Sequence, residues 1–376
     1  MKSMNPILGV ALAAALGWPV GASAEPVTLT DVAGREVTVD APVEKLILGE
    51  GRLIYAVAAI EEGDPFQRVV GWRDDLLKAD PATFNVYHAK YPDIDKIPTF
   101  GGVKDGTFDV EQAIALQPDV VVMNIESKSA TDDAGLDDKL AAVGIPLLYI
   151  DFRDAPMANT TPSLKILGTL LGEEDRAAEL IDFRDSQIAL VTDRLAETNP
   201  DKPLVFVERA AGFSDECCMS FGNENFGMMV EMAGGVNMAG DIIPGTFGTV
   251  NSEQIIASDP DAVIVTGAEW DAYVPNGPWV GLGPDSDMDK AREKLAALME
   301  RPAFTGIKAA RTGNVHGVWH QFYNSPYQFV VVQQMAKWLH PDLFQDLDPE
   351  ATFKTLHERF LPVDYDPGYF VSLGVD

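Results

Sequence analysis

The sequence predicts an α/β protein of two lobes, each a parallel sheet with helices on both faces, joined by a single long helix. Three observations carry this expectation. Short β-type apolar runs alternate with helical stretches in both halves of the chain, the pattern of strands joined by crossover helices. A Glu-Gln…Pro-Asp motif that leads into a β-run occurs once in each half. Between the halves lies a long stretch with helical spacing and few breakers. The length of 376 residues agrees, being too long for one ordinary core and suited to two.

Residues 1–24 read as a separate segment. Lys2 is followed by the apolar run Ile7–Leu16, too short to span a bilayer, and then by Ala22-Ser23-Ala24. Charge, apolar run and small-residue cleavage site come in the order of a secretory signal; the alternative is a buried first helix. No cysteine directly follows the cleavage site, so no lipid anchor is expected and the mature protein is expected free in the periplasm.

The first lobe is expected over residues 25–160. Val27–Thr30 and Arg35–Val39 flank a Gly turn and read as a hairpin. Strands follow at Leu46–Leu48, Val69–Gly71, Val120–Met123 and Pro146–Ile150, with helices at Leu53–Ile60, Val110–Leu116 and Leu136–Val143. Residues 161–200 form the connection. Leu164, Leu167, Leu171, Ala178, Ile181, Ile188, Val191 and Leu195 keep a helical period up to Asn199-Pro200. One helix of that length would bridge two lobes; the alternative is two helices broken near Gly172. Over residues 201–376 the alternation resumes, with strands at Leu204–Val207, Ala262–Val265 and Asn314–Val318. Helices are expected at Phe226–Ala233, Gln254–Ala257, Met288–Met299, Tyr327–Leu339 and Ala351–Arg359.

Charge narrows the partners. A net charge of −30 repels phosphate backbones and anionic lipid, so nucleic-acid binding and unaided membrane docking are disfavoured. A local arginine cluster could still reverse the field inside a cleft. The only cysteines, Cys217 and Cys218, are adjacent. Neighbouring Cα atoms sit closer than an ordinary disulfide prefers, so a strained vicinal disulfide, two free thiols and soft metal ligation all stay open, in that order.

The two motif copies are Thr107-Phe108-Asp109-Val110-Glu111-Gln112…Pro118-Asp119 and Thr249-Val250-Asn251-Ser252-Glu253-Gln254…Pro260-Asp261. Each follows an Ile-Pro and a Thr-Phe-Gly: Ile97 to Gly101 and Ile243 to Gly248. Asp109 or Ser252 can cap the helix, and Glu111 and Glu253 then lie in its first turn, where a carboxylate suits the positive helix end. Dipole complementation alone would explain both glutamates. Alternatively, each lobe presents one exposed carboxylate to a two-fold partner.

With these features the chain resembles the iron-siderophore and cobalamin class of periplasmic substrate-binding proteins that serve ATP-binding-cassette importers. The resemblance rests on the signal segment, the Thr30-Asp31-Val32-Ala33-Gly34-Arg35 hairpin, the repeated motif, Met232-Ala233-Gly234-Gly235-Val236-Asn237 and the long helix between lobes. It implies two Rossmann-like lobes joined by one rigid helix with limited hinge motion, a small-molecule ligand between them, and Glu111 and Glu253 docking to arginines of a permease dimer. The Cys217-Cys218 pair and the long Asn276–Asp289 insertion depart from that pattern.

In open parallel sheets ligands bind beyond the carboxyl ends of the strands. Arg52, Trp72, Arg73, Arg153, Arg209, Trp270, Trp319, His320 and Tyr323 follow such ends and are the candidate ligand contacts. Guanidinium forks suit carboxylate or catecholate oxygens, and aromatic rings supply flat walls. The combination fits a bulky anionic iron chelate. Each Arg could instead make a salt bridge inside its lobe, Arg52 could neutralise a neighbouring Glu, and Trp319 could be core. His316 and His320 straddle a strand end and would not share a face, although His320 or Tyr323 could serve as an axial haem ligand. A direct metal-ion carrier using these histidines and the cysteines is the remaining alternative. No serine-hydrolase, zinc-protease or phosphate-loop motif is present, so no enzyme, no resident cofactor and a monomer are expected.

Overall fold

The structure, a computed structural model, describes residues 24–214 and 217–374. The proposed signal segment lies, apart from Ala24, outside the described residues.

Five parallel strands build the first sheet, in the spatial order Thr99–Phe100, Val69–Arg73, Leu46–Leu48, Val120–Asn124 and Leu147–Ile150. The central runs are mostly apolar because helices cover both faces; all of Leu46–Leu48, Val120–Asn124 and Leu147–Ile150 is buried. The hairpin pairs Glu25–Thr30 with Glu36–Ala41. Its Asp31 carboxylate binds Arg35 at 2.8 Å and also accepts the Tyr149 N–H, which ties the hairpin to the sheet.

The second sheet runs Val236–Asn237, Leu204–Glu208, Ala262–Gly267, Val315–Trp319 and Phe370–Ser372. Four of its strands are parallel, whereas Phe370–Ser372 returns antiparallel to Val315–Trp319 at the edge. A separate antiparallel ribbon joins Met219–Phe221 to Phe247–Thr249.

The long helix between the lobes is present as the 25-residue Glu174–Thr198, shorter than the expected span of 161–200. The earlier part belongs to a separate helix, Pro156–Leu171, and Gly172 at φ 73° separates the two. A left-handed residue cannot continue a right-handed helix, and glycine adopts it without steric cost. The two helices pack on each other. Gly168 permits the approach, since a Cβ there would lie 2.7 Å from the Ala177 Cβ. Helix Glu174–Thr198 packs on Ile54–Ile60 of the first lobe and on Gln328–Leu339 of the second. One hydrophobic core therefore runs through both lobes, from Leu48 and Ile54 through Leu167 and Leu180 to Val207 and Val331.

Candidate functional site

The carboxyl ends of the two sheets face each other, and the side chains there interlock. Strand Leu46–Leu48 delivers Gly49, Glu50, Gly51 and Arg52. Gly51 is required by close packing, because a Cβ would stand 2.2 Å from the Arg73 carbonyl oxygen. Arg52 is buried. Its Nε lies 2.7 Å from Asp75 and its Nη2 2.8 Å from Glu50. From the same guanidinium, Nη1 crosses to the second lobe and donates to Gln321 Oε1 at 2.9 Å and to the Tyr323 hydroxyl at 2.8 Å.

Arg153, beyond strand Leu147–Ile150, pairs with Glu50 and Glu126. Its guanidinium carbon lies 4.9 Å from the centre of the Tyr323 ring. Asn324 donates to Glu50 at 2.7 Å, and Asn225 donates to the carbonyl oxygens of Arg153 and Tyr323 at 2.5 and 2.9 Å. Arg209, beyond strand Leu204–Glu208, differs from the other two. Among the described residues it has no carboxylate partner; its guanidinium lies 4.7 Å from the Phe247 ring centre and its Nη1 reaches Met219 Sδ at 3.8 Å. Among the described residues, the buried Nε groups of Arg153 and Arg209 find no acceptor.

Arg52 and Arg153 thus face Glu50, Asp75 and Glu126, and Arg209 stands without a carboxylate among the described residues. Burial opposes charge on the three arginines and on Glu126, and the outcome depends on the partners. For Glu126 the nearby Arg153 and Lys104 outweigh burial and bring the carboxyl down to about 2. Burial likewise disfavours charge on Arg52, but Tyr323, Glu50 and Asp75 hold its guanidinium well above the ordinary value. In Arg209 burial wins, aided by Arg153 and Arg52, and the guanidinium is pushed down. His320 is pushed well below the usual imidazole value by burial and then by Arg209, Arg52 and Arg153, so it stays neutral. Its Nδ1 lies 2.8 Å from Thr266 Oγ1, its ring 4.3 Å from that of Tyr323.

The structure gathers Arg52, Arg153, Arg209, His320 and Tyr323 at this junction. Other candidates sit elsewhere. Trp72 packs edge-on against Phe66 at 5.6 Å and is 3% exposed, a core residue of the first lobe. Consecutive strand residues point to opposite faces, so Trp72 and Arg73 could not both face a ligand. Arg73 pairs with Asp105 at 3.0 Å on the rim. Trp319 is core, 5.8 Å from Tyr55, 5.2 Å from Phe322 and 5.2 Å from Tyr369. Trp270 backs His320 at 5.3 Å. Glu50, Asp75, Glu126, Asn225, Gln321 and Asn324 complete the junction without having been singled out. Glu50, Glu126 and Asn324 also follow strand ends; Asn225, at φ 55°, had no signal in the sequence.

Glu111 and Glu253 are both exposed in the first turns of Val110–Ala115 and Ser252–Ser258. Asp109 caps the first helix as expected. In the second Asn251, not Ser252, is the cap, its side chain accepting the Glu253 N–H at 2.8 Å. Cys217 and Cys218 form the vicinal disulfide across a cis peptide bond. His316 stacks on Trp338 at 4.3 Å and bonds to Ser372 and Asn314, so it shares no ligand set with His320. Among the described residues no group of three or more His, Cys, Asp or Glu is arranged to hold a metal ion. No described helix is long and apolar enough to cross a membrane.

Comparison with known proteins agrees with this architecture. A family profile described as "Periplasmic binding protein" matches residues 75–318. The molybdate-binding protein MolA of Haemophilus influenzae is 21% identical over 363 residues, covering 90% of this chain and 92% of that protein. A cobalamin-binding protein of Halobacterium salinarum is 24% identical over 249 residues, covering 65% of this chain and 60% of that one. Among solved structures, the TroA-like periplasmic binding protein FepB from Veillonella parvula superposes with a TM-score of 0.83 at 29% identity, covering 93% of this chain and 100% of that one.

Proposed function

The chain belongs to the periplasmic binding protein family, and from that membership we propose that it captures an anionic iron chelate of the ferric-siderophore type between its lobes and delivers it to an ABC importer. One observation carries the reading: Arg52 and Arg153 converge on Tyr323, with Arg209 beyond a facing strand end, in a chain whose overall charge is −30, and Arg153 and Arg209 each keep a buried N–H donor without a partner among the described residues. Guanidinium forks hold the oxygens of carboxylates or catecholates in pairs, and the Tyr323 ring offers a flat wall.

In this reading the chelate supplies the iron's own ligands, and the protein recognises the outer oxygens. Opening the lobes releases the bonds from Arg52 to Gln321 and Tyr323 and frees that edge of the guanidinium for the ligand. The iron is cargo, and the protein holds no cofactor of its own. It works as a monomer in the periplasm, and Glu111 and Glu253 meet basic residues on the two halves of the importer's permease dimer.

A second reading, haem or a corrinoid as ligand, is favoured by one feature. The neutral His320 ring, fixed through Nδ1, stands 4.3 Å from the Tyr323 ring, and either side chain could bind a metal centre axially. The two readings separate when the protein is titrated with ferric catecholates, ferric hydroxamates, haemin, cobalamin and molybdate while tryptophan fluorescence is followed. Quenching by a ferric chelate at micromolar concentration is expected. Silence toward the ferric chelates refutes the main reading, and quenching by haemin or cobalamin alone selects the second.

A further inference from the structure

Aromatic rings continue outward from the arginine junction. The His320 ring lies 4.3 Å from that of Tyr323 and 5.3 Å from that of Trp270; Trp270 meets Phe213 edge-on at 5.4 Å, and Phe213 meets Tyr273 at 5.7 Å. These residues follow the carboxyl ends of the second lobe's strands: Phe213 beyond Leu204–Glu208, Trp270 and Tyr273 beyond Ala262–Gly267, His320 and Tyr323 beyond Val315–Trp319. Tyr323, His320 and Trp270 are buried, Phe213 is half-buried and Tyr273 is 45% exposed. A single exposed tyrosine is ordinary on a protein surface. Tyr273 is set apart because it ends a row of rings that begins at the arginines.

The backbone holds this ring in place. The Trp270 carbonyl accepts the N–H groups of Tyr273 at 2.9 Å and of Val274 at 2.8 Å. Asp271 accepts the Asn276 N–H at 2.9 Å, the Trp279 indole donates to the Val274 carbonyl at 3.0 Å, and Lys294 donates to the Gly277 carbonyl at 3.1 Å. Gly212, at φ 79°, lets the Phe213 loop lie on the exit of the same turn, since a Cβ there would stand 2.6 Å from the Pro278 carbonyl. The turn leads into the Asn276–Asp289 segment that the sequence sets apart. Burial raises the Tyr273 hydroxyl above its ordinary value; the nearby Arg52 opposes this, and Asp75, Arg73 and Lys78 also act on it. Those charged residues all belong to the first lobe, so Tyr273 faces it at the mouth of the junction.

We propose that Tyr273, seated on Phe213, is a specificity-determining lip that receives an aromatic ring of the bound chelate, so that the protein selects chelates with aryl arms over aliphatic chelates of equal charge. The proposal rests on the reading of the junction as the site of an anionic chelate, and it narrows the class of that ligand. A catechol carries its oxygens on one edge of a ring and apolar carbons on the other. The oxygens suit a guanidinium fork, and the ring's face and outer edge suit a second ring. An aliphatic carboxylate or hydroxamate arm offers oxygens to the arginines and leaves Tyr273 in water. Tyr273 thus separates ligands that the arginines alone treat alike.

The test uses the full mature protein with the tris-catecholate and tris-oxalate complexes of chromium(III), handled under argon. The two complexes share their charge and octahedral metal and exchange their ligands slowly, and only the first carries rings. Affinities are read by equilibrium dialysis. The parent protein is expected to hold the tris-catecholate roughly tenfold or more tightly than the tris-oxalate. Tyr273→Ala is expected to weaken the tris-catecholate roughly three- to tenfold, the effect of losing one ring pair, and to leave the tris-oxalate within about twofold. Tyr273→Phe keeps the ring and is expected to bind both as the parent does. No loss in Tyr273→Ala, a loss not confined to the tris-catecholate, or an equal loss in Tyr273→Phe overturns the lip. Equal parent affinity for the two complexes overturns the selectivity and leaves the anionic-chelate reading standing. Binding of neither complex by the parent refutes that reading itself.

Discussion

At the residue scale, three arginines of similar sequence context fare differently. Arg52 and Arg153 are neutralised by carboxylates, whereas Arg209 rests on a ring and a thioether. A buried cation of this kind is costly until an anion arrives. Arg209→Ala is therefore expected to weaken binding of ferric tris-catecholate at least tenfold while leaving urea stability equal or higher. Arg153→Ala should weaken binding and also destabilise, because it leaves Glu50 and Glu126 beside an unfilled space. The contrast is measured by parallel binding and denaturation curves, and equal stability losses in the two variants would contradict it. Tryptophans follow a different logic: Trp72→Ala should cost about 3–5 kcal/mol through the cavity it opens in the first lobe, with ligand binding of the folded fraction unchanged.

The strand-end rule brought Arg52, Arg153, Arg209, His320 and Tyr323 to the interlobe junction because the chain must leave each parallel strand at the same edge of the sheet. It failed for Trp72 and Trp319, since the rule gives a position along the strand and not the face a side chain takes. The pairing of Arg52 with the neighbouring Glu50 was readable from adjacency, whereas only the fold brings Asp75 to Arg52 and Glu50 and Glu126 to Arg153.

At the element scale, the apolar strands and the amphipathic helices were legible. Short pieces were not. Thr99–Phe100, Val236–Asn237 and Phe247–Thr249 are two or three residues long and have no period to read. Helix Pro81–Lys90 escaped because only Tyr87 is buried along it; Pro81 and the Asp80 cap start it instead. The bridge divides at Gly172 for the conformational reason given above. Gly168→Val should force the two bridge helices apart at Ala177, with an expected loss of roughly 1–3 kcal/mol and a looser interlobe distance, read by urea denaturation and by distances between nitroxide labels on the two lobes. Unchanged values for both would show that this contact does not set the geometry. At the other face, joint replacement of Glu111 and Glu253 by Ala should abolish uptake while ligand binding is retained. Uptake at the parent rate would remove the docking assignment.

At the scale of the whole molecule, acid acts on buried groups. Burial pushes His316 down to about 3 and His357 to about 4, and holds His320 well below its usual value. A histidine whose folded value is depressed takes up its proton first in the unfolded chain. Its contribution to stability is complete above about pH 6.5 and is lost as the pH falls toward the folded value. Glu61, Asp80, Glu208 and Glu224 are raised instead, mainly by burial, and offset part of this loss near the carboxylate range. Stability should therefore begin to fall just below about pH 6.5. His316→Gln should reduce the slope of stability against pH by about one proton per molecule. Equal slopes for parent and variant between pH 5 and 6.5, from urea curves, would contradict this.

The same burial that keeps His320 neutral makes the interlobe junction a low-dielectric place with a surplus of N–H donors, which is the central claim. Equilibrium dialysis of radioiron-labelled ferric tris(2,3-dihydroxybenzoate) against the parent protein and Arg209→Ala tests it most directly. One iron bound per parent molecule at micromolar concentration and at least tenfold weaker retention by the variant are expected. Equal retention by the two proteins, or none by the parent, would contradict it.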